Sequence, residues 1–215
     1  IRLSLVGSEM CIRDRPSGIY ESLFRYRSGM AVQEKAQLAQ AALRHIEPGQ
    51  VVMLDDSTTV TALAPLLAAK TPISVVTNSL ASADVLRGVD GVDLLCPGGQ
   101  YHRTYDAYIG HLCETALGRL RADVTICSAS AVDGATAFIQ DSEIVRIKQA
   151  MLASARKRIL LVDGSKFGRV ALHEFVPLDT FDTVIVDAAV SAQTVSGLRE
   201  AGIRIETASS RKSGS

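Results

Sequence analysis

"VVMLDDSTT", residues 51–59, sets a short apolar run directly before two carboxylates and three hydroxyls. Val51 to Asp55 reads as a buried strand, because a brief apolar run bounded by turn residues suits a sheet covered on both faces. The "DSTT" that follows reads as a turn opening a helix. Strand, turn and helix in immediate succession form the repeating unit of a parallel α/β sheet.

The same alternation continues outward. Upstream, "QEKAQLAQAALRHI" (33–46) places Ala36, Leu38, Ala39, Ala42, Leu43 and Ile46 along one side of a helix, and "EPGQ" stops it. Downstream, "TVTALAPLLAAK" (59–70) reads as a helix, with Pro65 expected in its first turns or at a kink. "ISVVTN" is a second strand and "SLASADVLRG" a helix capped by Ser79; "VDLLCPGG" is a third strand ending in a double glycine. A helix over 110–120 leads to the strand "ADVTICSAS", and a helix over 142–156 leads to "RILLVDGSKFG". "DTVIVD", the helix "SAQTVSGLREAG" and the strand "IRIETA" complete the series. The expected fold is α/β, a mostly parallel sheet with helices on both faces, in one domain without a linker or internal repeat.

Composition narrows the function. The 215 residues are 47% hydrophobic and 21% charged, an ordinary globular balance. Lys plus Arg number 23 and so do Asp plus Glu. Gripping DNA requires a basic face that neutralises several phosphates, and this chain carries no such excess. Cys11, Cys96, Cys113 and Cys127 stand singly, without metal-ligand spacing, as thiols do in a reducing cytoplasm. No metal or cofactor is expected, and no apolar run reaches the length of a membrane span.

In a parallel sheet, ligands gather at the carboxyl ends of the strands. Five turns fall there. "DDSTT" offers hydroxyls and backbone N–H groups at a helix start, as an anion site or as plain N-capping by Ser57 or Thr58. "TNS" (77–79) is the same arrangement, with a cap the simpler reading. "PGGQYH" (97–102) either admits a ligand close to its glycines or simply turns. "SAVDG" (130–134) and "DGSKFG" (163–168) follow later strands, and Lys166 is the best single partner for a phosphate or carboxylate. Asp55, Asp56 and Asp133 are candidates to hold sugar hydroxyls or act as a base. His102 reads as a ligand-loop residue, His111 and His173 as surface. Hydroxyls, glycines and a lysine on one sheet edge suit a phosphorylated, hydroxyl-rich small molecule.

The ordered blocks "EKAQLAQAALRHIEPGQVVMLDDSTTVTALA", "VVTNSLASADVL", "PGGQY", "SAVDG" and "ILLVDGSKFG" resemble the C-terminal sensor domain of DeoR-family bacterial transcriptional repressors. The likeness runs over residues 21–208. It implies a ribose-5-phosphate isomerase/CoA transferase-like fold and a non-catalytic domain that binds a phosphorylated sugar or related metabolite. It also implies control of sugar-metabolism genes, a cytoplasmic location and a homo-oligomer. Carried over by position, it assigns Asp55, Ser57, Thr58 and Thr59 to the phosphate or sugar loop. Asn78, Gly98, Gly99 and Tyr101 would line the pocket, Asp133 and Gly134 would form its floor, and Lys166 would face the ligand. Ser57 departs from the glycine common in the family, and "SASAVDG" departs from its usual Gly-Ile pattern. A sugar-phosphate isomerase on the same fold is the alternative, with Asp133 as base and Lys166 polarising the carbonyl.

The family also implies DNA binding through an N-terminal winged helix-turn-helix, which the residues before Glu21 do not encode. "LSLVGSEMCIRDR" (3–15) resembles translated sequencing-adapter read-through. Residues 1–20 are therefore expected to be an artefactual or disordered leader in which Cys11 plays no role, and 209–215 a disordered tail.

Overall fold

The computed structural model describes residues 24–208. The expectations for residues 1–20, Cys11 and 209–215 lie outside them. In chain order, helices α1 (Phe24–Ser28) and α2 (Val32–Leu43) precede strand β1 (Val51–Leu54), the short helix α3 (Thr58–Thr61) and strand β2 (Ile73–Thr77). Helix α4 (Leu80–Leu86), strands β3 (Val92–Leu95), β4 (Gln100–His102) and β5 (Ala107–Ile109), and helix α5 (His111–Gly118) follow. Next come β6 (Ala122–Ser128), β7 (Ala131–Asp133), β8 (Thr136–Ile139), helix α6 (Ser142–Ser154) and β9 (Ala155–Val162). The chain continues through β10 (His173–Pro177), β11 (Thr183–Val186), helix α7 (Ala192–Glu200) and β12 (Ile205–Thr207).

A seven-stranded sheet in the order β12-β11-β9-β6-β1-β2-β3 forms the centre. Its neighbouring pairs are all parallel. The alternation of side chains along each strand sorts the core into two layers. Val52, Leu54, Val75, Ile126, Leu161 and Ile185 face Leu38, Ala39 and Ala42 of α2 and Leu63 and Leu67 beyond α3. Met53 and Val76 face the other way, onto Cys113 and Leu117 of α5 and Ile147 and Met151 of α6. On that same side Leu160, Val162, Val184 and Val186 meet Ile144 and Leu152 of α6 and Val195 and Leu198 of α7. Helices therefore cover both faces. Met53, Leu54 and Ile126 have no exposed surface, and each such side chain stabilises the fold by about 1.5–3 kcal/mol.

Three local readings are corrected. The helix expected through residues 59–70 is broken into α3 and a 3-10 segment, Ala64–Lys70, with Pro65 in its first turn. Proline has no N–H to continue the ladder and starts a new element instead. Helix α2 stops at Leu43, short of Ile46. Strands β7, β8 and β10 form an antiparallel sheet, and β4 pairs with β5 in a hairpin; the strand alternation of the sequence did not disclose either. Among the described residues, no helix is long and apolar enough to cross a membrane.

Candidate functional site

Strands β1, β2 and β3 proceed toward one edge of the main sheet, while β6, β9, β11 and β12 proceed toward the other. The chain therefore reverses direction between β1 and β6, and the carboxyl ends of those strands flank the crevice that such a reversal opens. Asp55, directly after β1, bridges it. Its Oδ1 accepts from the Ser57 N–H at 2.9 Å, and its Oδ2 accepts from the Ser128 N–H at 2.8 Å. Lys148 on α6 donates to the same Oδ2 at 2.6 Å and to the Ser128 carbonyl at 2.7 Å. Both side chains are almost wholly buried, 0% exposed for Asp55 and 4% for Lys148. Asp55 is thus a brace across the crevice, with its bonds directed inward.

A cavity of about 530 Å³ opens beside this brace. Its wall is built from the turn after β1 (Asp56, Ser57, Thr58, Thr59), the end of β6 with its following residues (Ser128 to Ala131), and the turn after β9 (Asp163, Ser165, Lys166). Tyr26 and Arg27 of α1, Lys35 of α2, Tyr105, Lys148 and Arg169 are among the other residues that line it. Cationic side chains outnumber carboxylates in this lining, so the cavity favours an anion. Ser57 caps α3, accepting from the Val60 N–H at 3.1 Å. The Asp163 carboxylate accepts from the Ser165 N–H at 3.1 Å and from the Ser165 hydroxyl, which shapes the turn that presents Lys166. Lys35 donates to the Arg27 carbonyl, tying α1 to the wall.

Burial shifts the ionisable groups. It pushes the Lys35 ammonium down to about 8, against the pull of Asp163. Burial works against the Lys148 ammonium as well, but the carboxylates of Asp55 and Asp56 outweigh it and hold its pKa above the ordinary value. The Asp56 carboxyl is pushed up, chiefly by burial and against the attraction of Lys148, which favours its neutral acid form. Its Oδ1 is buried and has no hydrogen-bond partner among the described residues.

Of the residues singled out in the sequence, the structure brings Asp56, Ser57, Thr58, Thr59 and Lys166 together on the cavity wall, with Asp55 behind them. It places the others elsewhere. Asn78 is fully buried; its Nδ2 donates to the Tyr108 carbonyl at 2.9 Å and thereby pins the β4–β5 hairpin to the end of β2. Ser79 caps α4. Gly98 and Gly99 form the turn entering that hairpin, and the close approach at Gly99 is to its own hairpin. A Cβ there would lie 2.6 Å from the Ile109 carbonyl oxygen, at a φ of 129°. Gly99→Ala is expected to destabilise the domain by about 1–3 kcal/mol, read as a lower urea midpoint with unchanged slope. The exposed Tyr101 gives its hydroxyl to Asp106 at 3.0 Å. His102 stacks at 5.0 Å on Tyr105, behind the wall.

Asp133 and Gly134, expected on the floor, lie in the exposed turn between β7 and β8 and are not among the lining residues. The antiparallel hairpin absent from the sequence reading carries them there. Sequence reasoning passed over Lys35 and Lys148, although each occupies a core-facing step of an amphipathic helix: 35, 38, 42 in α2 and 144, 148, 151 in α6. A lysine inside an apolar stripe was the available signal. Among the described residues, no group of three or more His, Cys, Asp or Glu side chains is placed to hold a metal ion.

The family model described as the DeoR C-terminal sensor domain matches residues 30–188. A protein of Escherichia coli O157:H7, provisionally designated an aga operon transcriptional repressor, is 30% identical over 202 residues, covering 93% of this chain and 74% of its own. The glycerol-3-phosphate regulon repressor of Escherichia coli K12 is 27% identical over 192 residues, covering 89% and 76%. Among solved structures, the delta subunit of eIF2B from Chaetomium thermophilum superposes with a TM-score of 0.52 at 15% identity, over 73% of this chain and 56% of that one. This likeness is one of fold. A D-ribose-5-phosphate isomerase solved with phospho-erythronic acid matches with a TM-score of 0.47 at 19% identity, over 63% and 54%.

Proposed function

Because the chain belongs to the DeoR C-terminal sensor-domain family, we propose that the cavity beside Asp55 is its effector site and that the effector is a phosphorylated sugar or polyol. In this family the domain serves as the effector-binding part of a transcriptional regulator. The observation that carries the ligand assignment is the cavity lining. It places the hydroxyls of Ser57, Thr58 and Thr59 in one crevice with Lys35, Lys166 and Arg169 at the reversal of strand order. Hydroxyl and backbone donors with flanking cations are the chemistry that holds a phosphate, and the remaining polar wall suits sugar hydroxyls.

The genes controlled are those of sugar metabolism, as the name of the glycerol-3-phosphate regulon repressor suggests by kinship. DNA contact falls to a winged helix-turn-helix outside the described residues, and the protein acts in the cytoplasm as a homo-oligomer. Leu112, 74% exposed on the outer side of α5, suits such an interface, whereas the apolar side of α2 is occupied by the sheet. The domain senses and does not turn over its ligand. The isomerase reading needs Asp133 and Lys166 on one substrate, and Asp133 lies on the exposed β7–β8 turn while Lys166 lines the cavity.

A thermal-shift titration with sugar and polyol phosphates tests the assignment. A ligand specific to the folded form is expected to stabilise it by about 2.7 kcal/mol at 100 times its Kd. No shift with any such compound, or turnover of ribose 5-phosphate in a coupled assay, contradicts the proposal.

Lys35 adds a pH signature. In the free domain its ammonium titrates at about 8, below the ordinary 10.5. A bound anion favours the protonated form and raises that value, so affinity is full below pH 8 and falls above it, by at most about tenfold per pH unit. The free domain itself runs the opposite way: the unfolded chain holds the proton up to 10.5, so this group adds stability as the pH rises from about 8 to 10.5. Titrations between pH 7 and 9 are expected to show the loss of affinity in the wild type and a flatter profile in Lys35→Met.

A further inference from the structure

Asp55 and Asp56 are adjacent in sequence and divided in use. Asp55 spends both carboxylate oxygens on Ser57, Ser128 and Lys148. Asp56 lines the cavity, is 2% exposed, and leaves Oδ1 buried without a hydrogen-bond partner among the described residues. Native folds seldom leave a buried carboxyl oxygen unsatisfied, because the desolvation it suffers is returned only by a hydrogen bond. Asp56 thus holds an unused acceptor at the cavity wall.

We propose that Asp56 is the residue that reads the non-phosphate end of the effector, accepting a hydrogen bond from a sugar hydroxyl or amine and so discriminating such molecules from simple phosphates. The inference rests on the cavity's assignment as the effector site. The lining separates two tasks. Lys35, Lys166 and Arg169 attract the anion without regard to what it carries, whereas Asp56 gains a hydrogen bond only from a ligand that brings a donor to it. A site whose buried polar group is satisfied by one ligand and orphaned by another discriminates strongly between them. Burial favours the neutral acid form of Asp56, which can also return a hydrogen bond to a hydroxyl oxygen. An ammonium would instead draw out the carboxylate.

The test compares the wild-type chain with Asp56→Ala by thermal-shift titration against inorganic phosphate, methyl phosphate, glycerol 3-phosphate, a hexose 6-phosphate and a hexosamine 6-phosphate. In the wild type, at least one donor-bearing phosphate is expected to bind tenfold or more tighter than methyl phosphate. In Asp56→Ala that preference is expected to fall below threefold while the response to inorganic phosphate persists. Removing an orphaned buried carboxyl is also expected to leave the unliganded melting temperature unchanged or to raise it by about 2–4 °C. A tenfold advantage of the hexosamine phosphate over the hexose phosphate identifies the donor as an amine; parity identifies it as a hydroxyl. A variant that retains the wild-type preference overturns the role of Asp56 while leaving the cavity its ligand. A variant that melts lower or fails to fold also overturns it, because Asp56 would then be a structural residue. A wild-type chain that responds to none of the five compounds contradicts the effector site itself, and the role of Asp56 with it.

Discussion

Replacing Lys148 with methionine is expected to destabilise the domain by about 3–5 kcal/mol, because it leaves the Asp55 carboxylate buried without its counter-charge. The pair is held at 2.6 Å with both side chains nearly inaccessible to water. Methionine keeps the apolar stem of the lysine, so cavity formation contributes little and the loss reports the charge. The effect reaches beyond the pair, since the same ammonium also donates to the Ser128 carbonyl and ties α6 to the end of β6. Adding Asp55→Asn removes the orphaned charge, and the double variant is expected to be no less stable than Lys148→Met alone. Urea unfolding of the two single variants and the double variant would then show a coupling energy of about 1–3 kcal/mol. Additive losses would mean that the two side chains do not act as a unit.

Replacing Lys166 with methionine is expected to weaken binding of phosphorylated effectors by roughly 10–100-fold, the worth of a charge-assisted hydrogen bond to an anion. Its stability is expected to change by less than about 0.5 kcal/mol. Lys166 is half-buried at the cavity wall and makes no ion pair among the described residues. Loss of Lys148 acts on the frame that supports the cavity, and loss of Lys166 acts on the ligand. Isothermal titration with glycerol 3-phosphate and a hexose 6-phosphate, alongside thermal melts without ligand, separates the two effects.

The parallel sheet was legible because most of its strands carry a short apolar run closed by a turn, and runs buried on both faces leave that mark wherever they occur. "VVML", "ISVVT" and "TVIV" are of this kind. The antiparallel strands left no such mark. Ala131–Asp133 and Thr136–Ile139 are three and four residues long and follow β6 where the sequence offers only a turn, and the floor position of Asp133 rests on the family resemblance alone. The turns "DDSTT" and "DGSKFG" announced themselves because strand ends and helix starts are local events. Lys148 could not be paired with Asp55 from the chain alone, since 93 positions separate them. Both lysines on helices α2 and α6 nevertheless broke an apolar stripe, and such a break marks a buried partner. The roles of Asp55 and Asp56 were indistinguishable in sequence. They became separate once the backbone directed one inward to the switch point and left the other facing the cavity.

We propose that the effector sits at the carboxyl ends of β1, β6 and β9, between the braced Asp55 and the cationic wall. Backbone amide shift mapping of the domain with a saturating hexose 6-phosphate or glycerol 3-phosphate tests it most directly. The expected perturbations concentrate at residues 56–59, 128–131 and 163–169. Perturbations concentrated instead at the Gly98–His102 turn or the Asp133–Gly134 hairpin would contradict the claim, as would the absence of any perturbation.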